Sequence, residues 1–495
     1  MVKQQPQLSF WQIWNVSFGF LGVQFGFALQ NANASRILSD LGADPHSLSI
    51  FWVVAPLMGL IVQPIVGAAS DRTWNSVGRR RPFILGGAIA AAAGMALMPN
   101  ASLFVAFMIP ILFGVLMLAV MDASFNVCFQ PFRALVSDMV PAKQRNVGYS
   151  VQTLLINIGA VVGSLLPFIL TNVVGLDNVA QSGEVAETVI WAFYIGATVL
   201  LGSVLWTVIR TKEYPPEEYY AYKGLDLEKV QQEQAHKKPL SVRLQNFVKL
   251  VIDMPTVMKR LALVQFFSWF ALFLMWVYTN NAIAEHIWGI DKQWFNSDYI
   301  KSMGGLPDDI ASAKGAAGDW VGILFAAYSL FAAIFALFLA KLADKVGRKQ
   351  VYAGSLALGG ISFVSFLFFQ DLTPTDVNLY VTQVTVPLGA VYLLLPMIGI
   401  GIAWAAILAM PYAMLAGALP ADKTGVYMGI FNFTIASPQI ISALTAGLIL
   451  KYLFGGTAIY MIVLAGVLMV CAAFCVLLVR ESEEHAEDIL PVTEE

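Results

Sequence analysis

The stretch VLMLAVMDASFNVCFQPFRALV (115–136) sets an aspartate, Asp122, and an arginine, Arg133, in largely apolar surroundings. On a helix turning 100° per residue, Asp122, Asn126, Gln130 and Arg133 fall within about one quadrant, and Arg133 lies roughly 16 Å along the axis from Asp122. Direct pairing within the helix is therefore excluded, and Arg133 is expected to pair near the cytoplasmic end, with Asp138 or with other helices, and to help gate or retune Asp122. A charge at mid-membrane costs about 2.5 to 3.5 kcal/mol on insertion scales, so such residues face a cavity or a partner and mark ion pathways. A carboxyl whose surroundings alternate between dry and wet can load and release a proton. Asp122 and Arg133 are the proton-coupling candidates; the competing reading is a static buried ion pair.

That chemistry presupposes a membrane, and the composition supplies it. The chain has 495 residues, 58% of them hydrophobic and 12% charged, with a mean hydropathy of +0.70, far outside the range of water-soluble folds of this length. The three cysteines (Cys128, Cys471, Cys475) sit inside apolar runs, so neither a disulfide framework nor metal spacing is expected. The first apolar stretch runs into FALQNANASR without an A-x-A cleavage pattern and reads as a retained helix.

Apolar stretches long enough to cross a bilayer fall at 10–35, 48–69, 82–99, 103–136, 147–170, 187–209, 260–287, 319–340, 351–370, 384–418, 426–450 and 456–479. With a cytoplasmic N-terminus, all but five of the 29 basic residues lie inside, the exceptions being Arg36, Lys292, Lys301, Lys314 and Lys451. The positive-inside rule then places both termini in the cytoplasm. The polar stretch within 210–259 is a linker dividing a six-helix bundle (1–209) from a second (260–480), and 481–495 is an acidic tail.

Internal repetition supports the division. PFRALVSDMVPAKQRNVGYS (131–150) is similar to PYAMLAGALPADKTGVYMG (411–429), and SDRTWNSVGRRRP (70–82) to ADKVGRK (343–349). In the latter pair Asp71, Gly78, Arg79 and Arg80, and Asp344, Gly347 and Arg348, read as gating loops in which a carboxylate pairs with guanidinium and glycine permits a tight turn. Two six-helix halves in parallel register with a site between them is the arrangement of major facilitator transporters. The expected fold class is thus an all-α membrane protein of major facilitator fold, twelve transmembrane helices in two six-helix bundles, working as a monomer in the lipid bilayer.

GVQFGFALQNANASRILSDLG (22–42), IVQPIVGAASDRTWNSVGRRRPFI (61–84), the Asp122-x-x-x-Asn126 pair with Pro131, Arg133, Ala134 and Leu135, and GIFNFTIASPQII (429–441) resemble plant sucrose/proton symporters and related animal solute carriers, which belong with the glycoside-pentoside-hexuronide:cation symporters. The resemblance covers essentially all twelve helices. It implies that Asp122 is the protonation site coupling proton entry to sugar uptake. Plant members read roughly Asp-Thr-Asp-Trp-Met-Gly-Arg-Glu where this chain has Tyr278 to Glu285, which leaves maltose or another α-glucoside as open as sucrose. Short loops lead to the expectation of a bacterial inner-membrane permease.

Sugar hydroxyls need amides and hydroxyls, and pyranose rings stack on aromatic faces. Polar groups inside membrane helices are costly unless satisfied, so they are informative as a set. Helix 1 offers Gln24, Gln30 and Asn31; helix 4, Asn126 and Gln130; helix 5, Gln152 and Asn157. Helix 7 offers Gln265, Tyr278, Asn280 and Asn281, and helix 11 Asn432 and Gln439, with Trp276 and Trp404 as stacking candidates. Each is alternatively a helix-packing residue. Arg36 and Glu285, toward the outer helix ends, either snorkel or gate.

Sodium coupling is the nearer rival, but a hard cation wants several oxygen ligands and Asp122 is the only carboxylate deep in the first six spans. A drug or metabolite exporter of the same fold is the other. His46, His236, His286 and His485 are scattered, so neither a metal site nor a cofactor is proposed, and no triad, phosphate loop or nucleic-acid motif points to an enzyme or a nucleic-acid partner.

Overall fold

The computed structural model describes residues 5–141, 144–180, 183–223, 254–378, 382–416 and 424–479. Most of the expected linker, with His236, and the acidic tail, with His485, lie outside the described residues, as does the side chain of Asp71.

The long helices are numbered α1 to α12: α1 Gly19–Asp40, entered through the short helix Phe10–Ser17; α2 Val54–Arg72, entered through Pro45–Phe51; α3 Arg81–Leu97; α4 Pro110–Met139; α5 Arg145–Ile169; and α6 Glu187–Arg210. The second set is α7 Thr256–His286, α8 Asp308–Val346, α9 Arg348–Ser365, α10 Leu394–Ala416, α11 Thr424–Leu448 and α12 Ile459–Leu477. Among the described residues, eleven helical stretches are long and apolar enough to cross a membrane. α1 falls below that threshold because it carries Gln24, Gln30, Asn31, Asn33 and Arg36. It is nevertheless held in the bundle, with Gln30, Asn33 and Arg36 all buried.

The same five helix pairs pack in each set: α1 on α5 and α6, α2 on α4, and α3 on α4 and α6, repeated as α7 on α11 and α12, α8 on α10, and α9 on α10 and α12. The two sets meet where α5 packs on α8 and α2 on α11, contacts that map onto each other under the same six-helix shift. Lipid supplies no hydrophobic drive between helices, so small residues that let backbones approach mark the close crossings. At α1 on α5, a Cβ added to Gly159 would lie 2.2 Å from the Leu21 carbonyl oxygen; at α9 on α12, one added to Gly466 would lie 2.6 Å from that of Gly360. Gly159→Val is expected to cost at least about 1 to 3 kcal/mol through overpacking against backbone that cannot yield. A thermal-shift assay of the detergent-solubilised protein checks it, and an unchanged transition would refute the packing argument.

The end of the bundle holding Phe10, residues 73–80 and Gly347, rich in Lys and Arg, is called the basic end below. Several boundaries differ from expectation: α4 begins at Pro110 and not at 103, and α2 at Val54 and not at 48. α8 begins at Asp308 and not near 319, because the apolar run is preceded by DDIASAKGAA, which is polar yet sound helix-forming sequence. Residues 384–387, expected to open a membrane span, belong instead to a strand, Gln383–Pro387, paired antiparallel with Pro374–Asn378 at the opposite end. The alternating, β-branched QVTVP accounts for the strand.

Candidate functional site

Asp122 sits at the centre of α4, 2% exposed. Gln30 of α1 donates through Nε2 to Asp122 Oδ1 at 2.9 Å, and Oδ2 has no partner. One turn on, Asn126 Nδ2 donates to the Asp122 main-chain oxygen at 2.8 Å. Gln63 of α2 donates to Asn126 Oδ1 at 2.6 Å, and Gln130 donates to Gln63 Oε1 at 3.0 Å. Thus Gln30, Asp122, Asn126 and Gln130 come together as one polar run, and Gln63, absent from the expected set, joins it. Its signal was legible, an amide in the middle of the apolar IVQPIV.

Arg133 does not pair with Asp138. It is exposed, its guanidinium 5.7 Å from the Phe129 ring centroid. Asp138 is taken by Arg80, whose Nε lies 3.2 Å from Oδ2, by Arg79 at 4.0 Å and by the Tyr219 hydroxyl, which donates to Oδ1 at 3.0 Å. Burial, then the neighbouring Asp138 carboxylate, pushes the Tyr219 phenol above its usual range, which keeps it a donor.

The basic-end loop departs from the simple aspartate–arginine pairing expected. Glu213, just past α6, accepts main-chain N–H bonds from Arg79 at 3.1 Å, Arg80 at 2.9 and 3.0 Å and Arg81 at 2.9 Å, a carboxylate seated on the N-terminus of α3. Gly78 is required there twice over, by φ of 133° and by a Cβ position only 2.6 Å from Glu213 Oε1. In the second repeat Gly347 has φ of 103°, Asp344 is exposed, and Arg348 donates to the Ala413 carbonyl at 3.2 Å.

Trp276 and Trp404 face each other with ring centroids 6.0 Å apart, nearly perpendicular at 87°. Trp269, two turns before Trp276 on α7 and missed in the sequence, closes the triangle at 6.3 and 5.9 Å. The indole N–H groups of Trp269 and Trp276 are unpartnered. Also on α7, Gln265, Tyr278, Asn280 and Asn281 are buried with polar side-chain atoms unpaired. Gln152 is buried with Oε1 unpaired. Gln24 and Asn31, two turns apart on α1, are half-buried. The amides of Asn157 and Gln439 bond the carbonyls of Thr153 and Ile435 in their own helices, at 2.8 and 3.1 Å, and Asn432 accepts from the Tyr412 hydroxyl at 3.4 Å.

Away from the basic end the two sets of helices are clamped. Arg36 of α1, 4% exposed, reaches Asp319 of α8 at 3.3 Å and donates to Asn178 Oδ1 at 2.6 Å and to its carbonyl at 3.2 Å. Asn178 Nδ2 in turn donates to Asp319 Oδ2 at 2.9 Å. α8 is cut to receive them, since a Cβ at Gly318 would lie 2.8 Å from Arg36 Cδ and one at Gly315 2.5 Å from the Asn178 oxygen. Nearby, Trp52 donates to Ser35 Oγ at 2.9 Å, and Ser35 to the Trp276 carbonyl at 3.4 Å. Asp319 was missed because a span starting at 319 placed it at a helix end; Asn178 lies in a loop with no sequence signal. Glu285 does not reach across: its Oε2 accepts from the Ala458 N–H at 2.9 Å, within the second set.

A family model described as Major Facilitator Superfamily matches residues 16–289 and 295–493. The chain belongs to this superfamily. It is a multi-pass membrane transporter and not an enzyme. This facilitator is 24% identical over 282 residues to a general alpha-glucoside permease of Schizosaccharomyces pombe, across 54% of its own length and 47% of the permease. It is 35% identical over 141 residues to a sucrose transport protein of Arabidopsis thaliana, across 25% of its length and 26% of that protein. The matched region thus spans about half or less of these curated relatives. Among solved structures it is similar to the xylose transporter XylE from E. coli, at TM-score 0.61 and 14% identity over 96% of this chain and 99% of that one. The nucleoside transporter NupG matches at TM-score 0.57 and 15% identity, over 94% of this chain and 98% of that one.

Proposed function

We propose that this facilitator is a proton-coupled symporter that imports a disaccharide or α-glucoside, maltose or sucrose being the candidates, with Asp122 as the coupling carboxylate. The observation that carries the reading is the enclosed Asp122, one oxygen held by Gln30 and the other unpaired, continued by an amide run of the kind that matches sugar hydroxyls. The named activities of the permease and sucrose-transport relatives support the substrate class, and the tryptophan triangle supplies faces for a pyranose ring. The six-helix halves 1–209 and 260–480 rock about this site, both termini are cytoplasmic, and one chain is the working unit. The clamped arrangement of Arg36, Asn178 and Asp319 is the state closed to the outside, and Arg133, toward the cytoplasmic end of the same helix as Asp122, is the second residue of the coupling pathway. A single proton suffices, because about 100 mV releases roughly 2.3 kcal/mol per entering charge, while each tenfold sugar gradient costs about 1.4 kcal/mol.

The test is uptake of labelled maltose and sucrose into proteoliposomes under an imposed pH gradient, with a labelled lipophilic cation in parallel. Accumulation of one disaccharide above its external concentration, abolished by a protonophore, is expected. Accumulation that needs sodium would replace the proton in the scheme, and movement of the cation alone would make the protein an exporter.

A further inference from the structure

Gln63 is the one side chain in the polar run that belongs to α2, the helix that packs on α4 of its own half and on α11 of the other. Its amide is used in both senses, donating to Asn126 and accepting from Gln130, so the run points in one direction, from Gln130 through Gln63 and Asn126 to the main-chain oxygen of Asp122. Two further features single out this place. Gly59, one turn earlier on the same side of α2, brings bare backbone up to the amides: a Cβ there would be in ordinary contact, 3.8 Å from Asn126 Nδ2 and Oδ1 and 3.9 Å from Gln63 Nε2, so the glycine leaves a methyl-sized space beside them. Gln63 and Gln130 are each followed by a proline inside the helix, Pro64 and Pro131, which removes a main-chain donor and leaves both helices free to bend where their glutamines meet.

An amide that presents N–H and C=O side by side matches the two hydroxyls of a vicinal diol, one accepting and one donating. We propose that Gln63 is a sugar-binding residue, taking a vicinal diol of the pyranose on the side of α2 that Gly59 leaves without a side chain, and that it positions Asn126 against Asp122. Sugar and carboxylate then share one hydrogen-bonded run, and a diol that engages Gln63 must redistribute the bonds it gives to Asn126. This inference rests on the sugar reading above and deepens it by naming a recognition residue and the hydroxyl pattern it selects.

The experiment compares wild type, Gln63→Leu and Gln63→Glu in proteoliposomes, each first checked for a monodisperse chromatographic profile. The transported disaccharide and a set of its monodeoxy analogues serve as substrates, and KM and Vmax are taken separately. A polar site that loses its hydroxyl partner discriminates strongly against the deoxy compound, and a site already lacking the polar group does not. In wild type the deoxy analogue at the contacted position is expected to show KM raised about tenfold or more. In Gln63→Leu the parent sugar should show a similar rise and that one analogue should lose its handicap, the other analogues keeping theirs. Gln63→Glu, which retains shape and acceptors but no N–H, is expected to lose part of the discrimination, and it is read alone if Gln63→Leu does not fold. A purely structural role would change Vmax or yield and leave every deoxy penalty in place; that result in both variants overturns the proposal. If wild type carries no sugar at all, the sugar reading falls and takes this inference with it, whereas intact penalties in an active sugar transporter defeat Gln63 alone.

Discussion

Arg36→Ala is expected to unfasten the end of the bundle opposite the basic loops. The substitution leaves Asp319 buried with no charged partner among the described residues, only the Asn178 amide and the Thr171 hydroxyl beside it, and stripping one partner from a buried pair costs about 3 to 5 kcal/mol. That cost falls on the clamped arrangement and is relieved when the halves part and water reaches the carboxylate. A loss of about 3 kcal/mol is roughly a hundredfold in a two-state equilibrium. The measurement is alkylation by a membrane-impermeant maleimide of a cysteine placed at Ser39, which lines the small polar cavity beside Arg36, Asn178 and Asn280, in a chain whose three native cysteines are replaced by alanine. Labelling should be at least tenfold faster with Arg36→Ala than without it. Asp319→Asn should act in the same direction but less strongly, because Arg36 keeps its two bonds to Asn178. Rates equal to the parent in both variants would show that the cross-connection holds nothing shut.

What the sequence could reveal here follows from how each signal is written. Asp122, Asn126 and Gln130 share one helix face, so the 3.6-residue period alone predicts that they line one surface, and the structure adds Gln30 across the gap from α1. The same logic reaches Trp276 and could have reached Trp269, seven residues earlier on the same face. Cross-chain choices are not written in any local period. Asp138 had Arg133 only five residues away in sequence, yet the end of α4 abuts the loop before α3, where Arg80 is preset by Glu213 and Gly78, and the nearer guanidinium takes the carboxylate. Asp319 shows the converse case. The acid in GAAGDWVGILF is as conspicuous as the one in VMDASF, but an apolarity threshold put it at a helix terminus, where a charge would be cheap. Only the helix that starts at Asp308 carries it into the bundle.

Asp122→Asn is expected to abolish accumulation while sparing exchange. Asparagine is close in size and shape, and its Oδ1 can accept the bond from Gln30 Nε2 that Asp122 Oδ1 accepts now. Its amide nitrogen takes the place of Oδ2, which has no partner to lose. Folding and the surrounding amide run should therefore survive, and what disappears is the group that changes charge. Without it the loaded and empty carriers no longer differ by a proton, and the membrane potential and pH gradient have nothing to act on. Wild type, driven by about 2.3 kcal/mol per charge at 100 mV, should sustain more than a tenfold sugar gradient, and the variant a ratio of one. Counterflow, in which labelled sugar enters against unlabelled sugar inside, needs no net proton movement and should continue. If Asp122→Asn still accumulates sugar on a pH gradient, the proton rides on another membrane carboxylate. The candidates are then Asp319, bound to Arg36, and Glu285, whose Oε1 is buried and unpartnered. Loss of both accumulation and counterflow would make Asp122 part of the sugar site itself and not the coupling group.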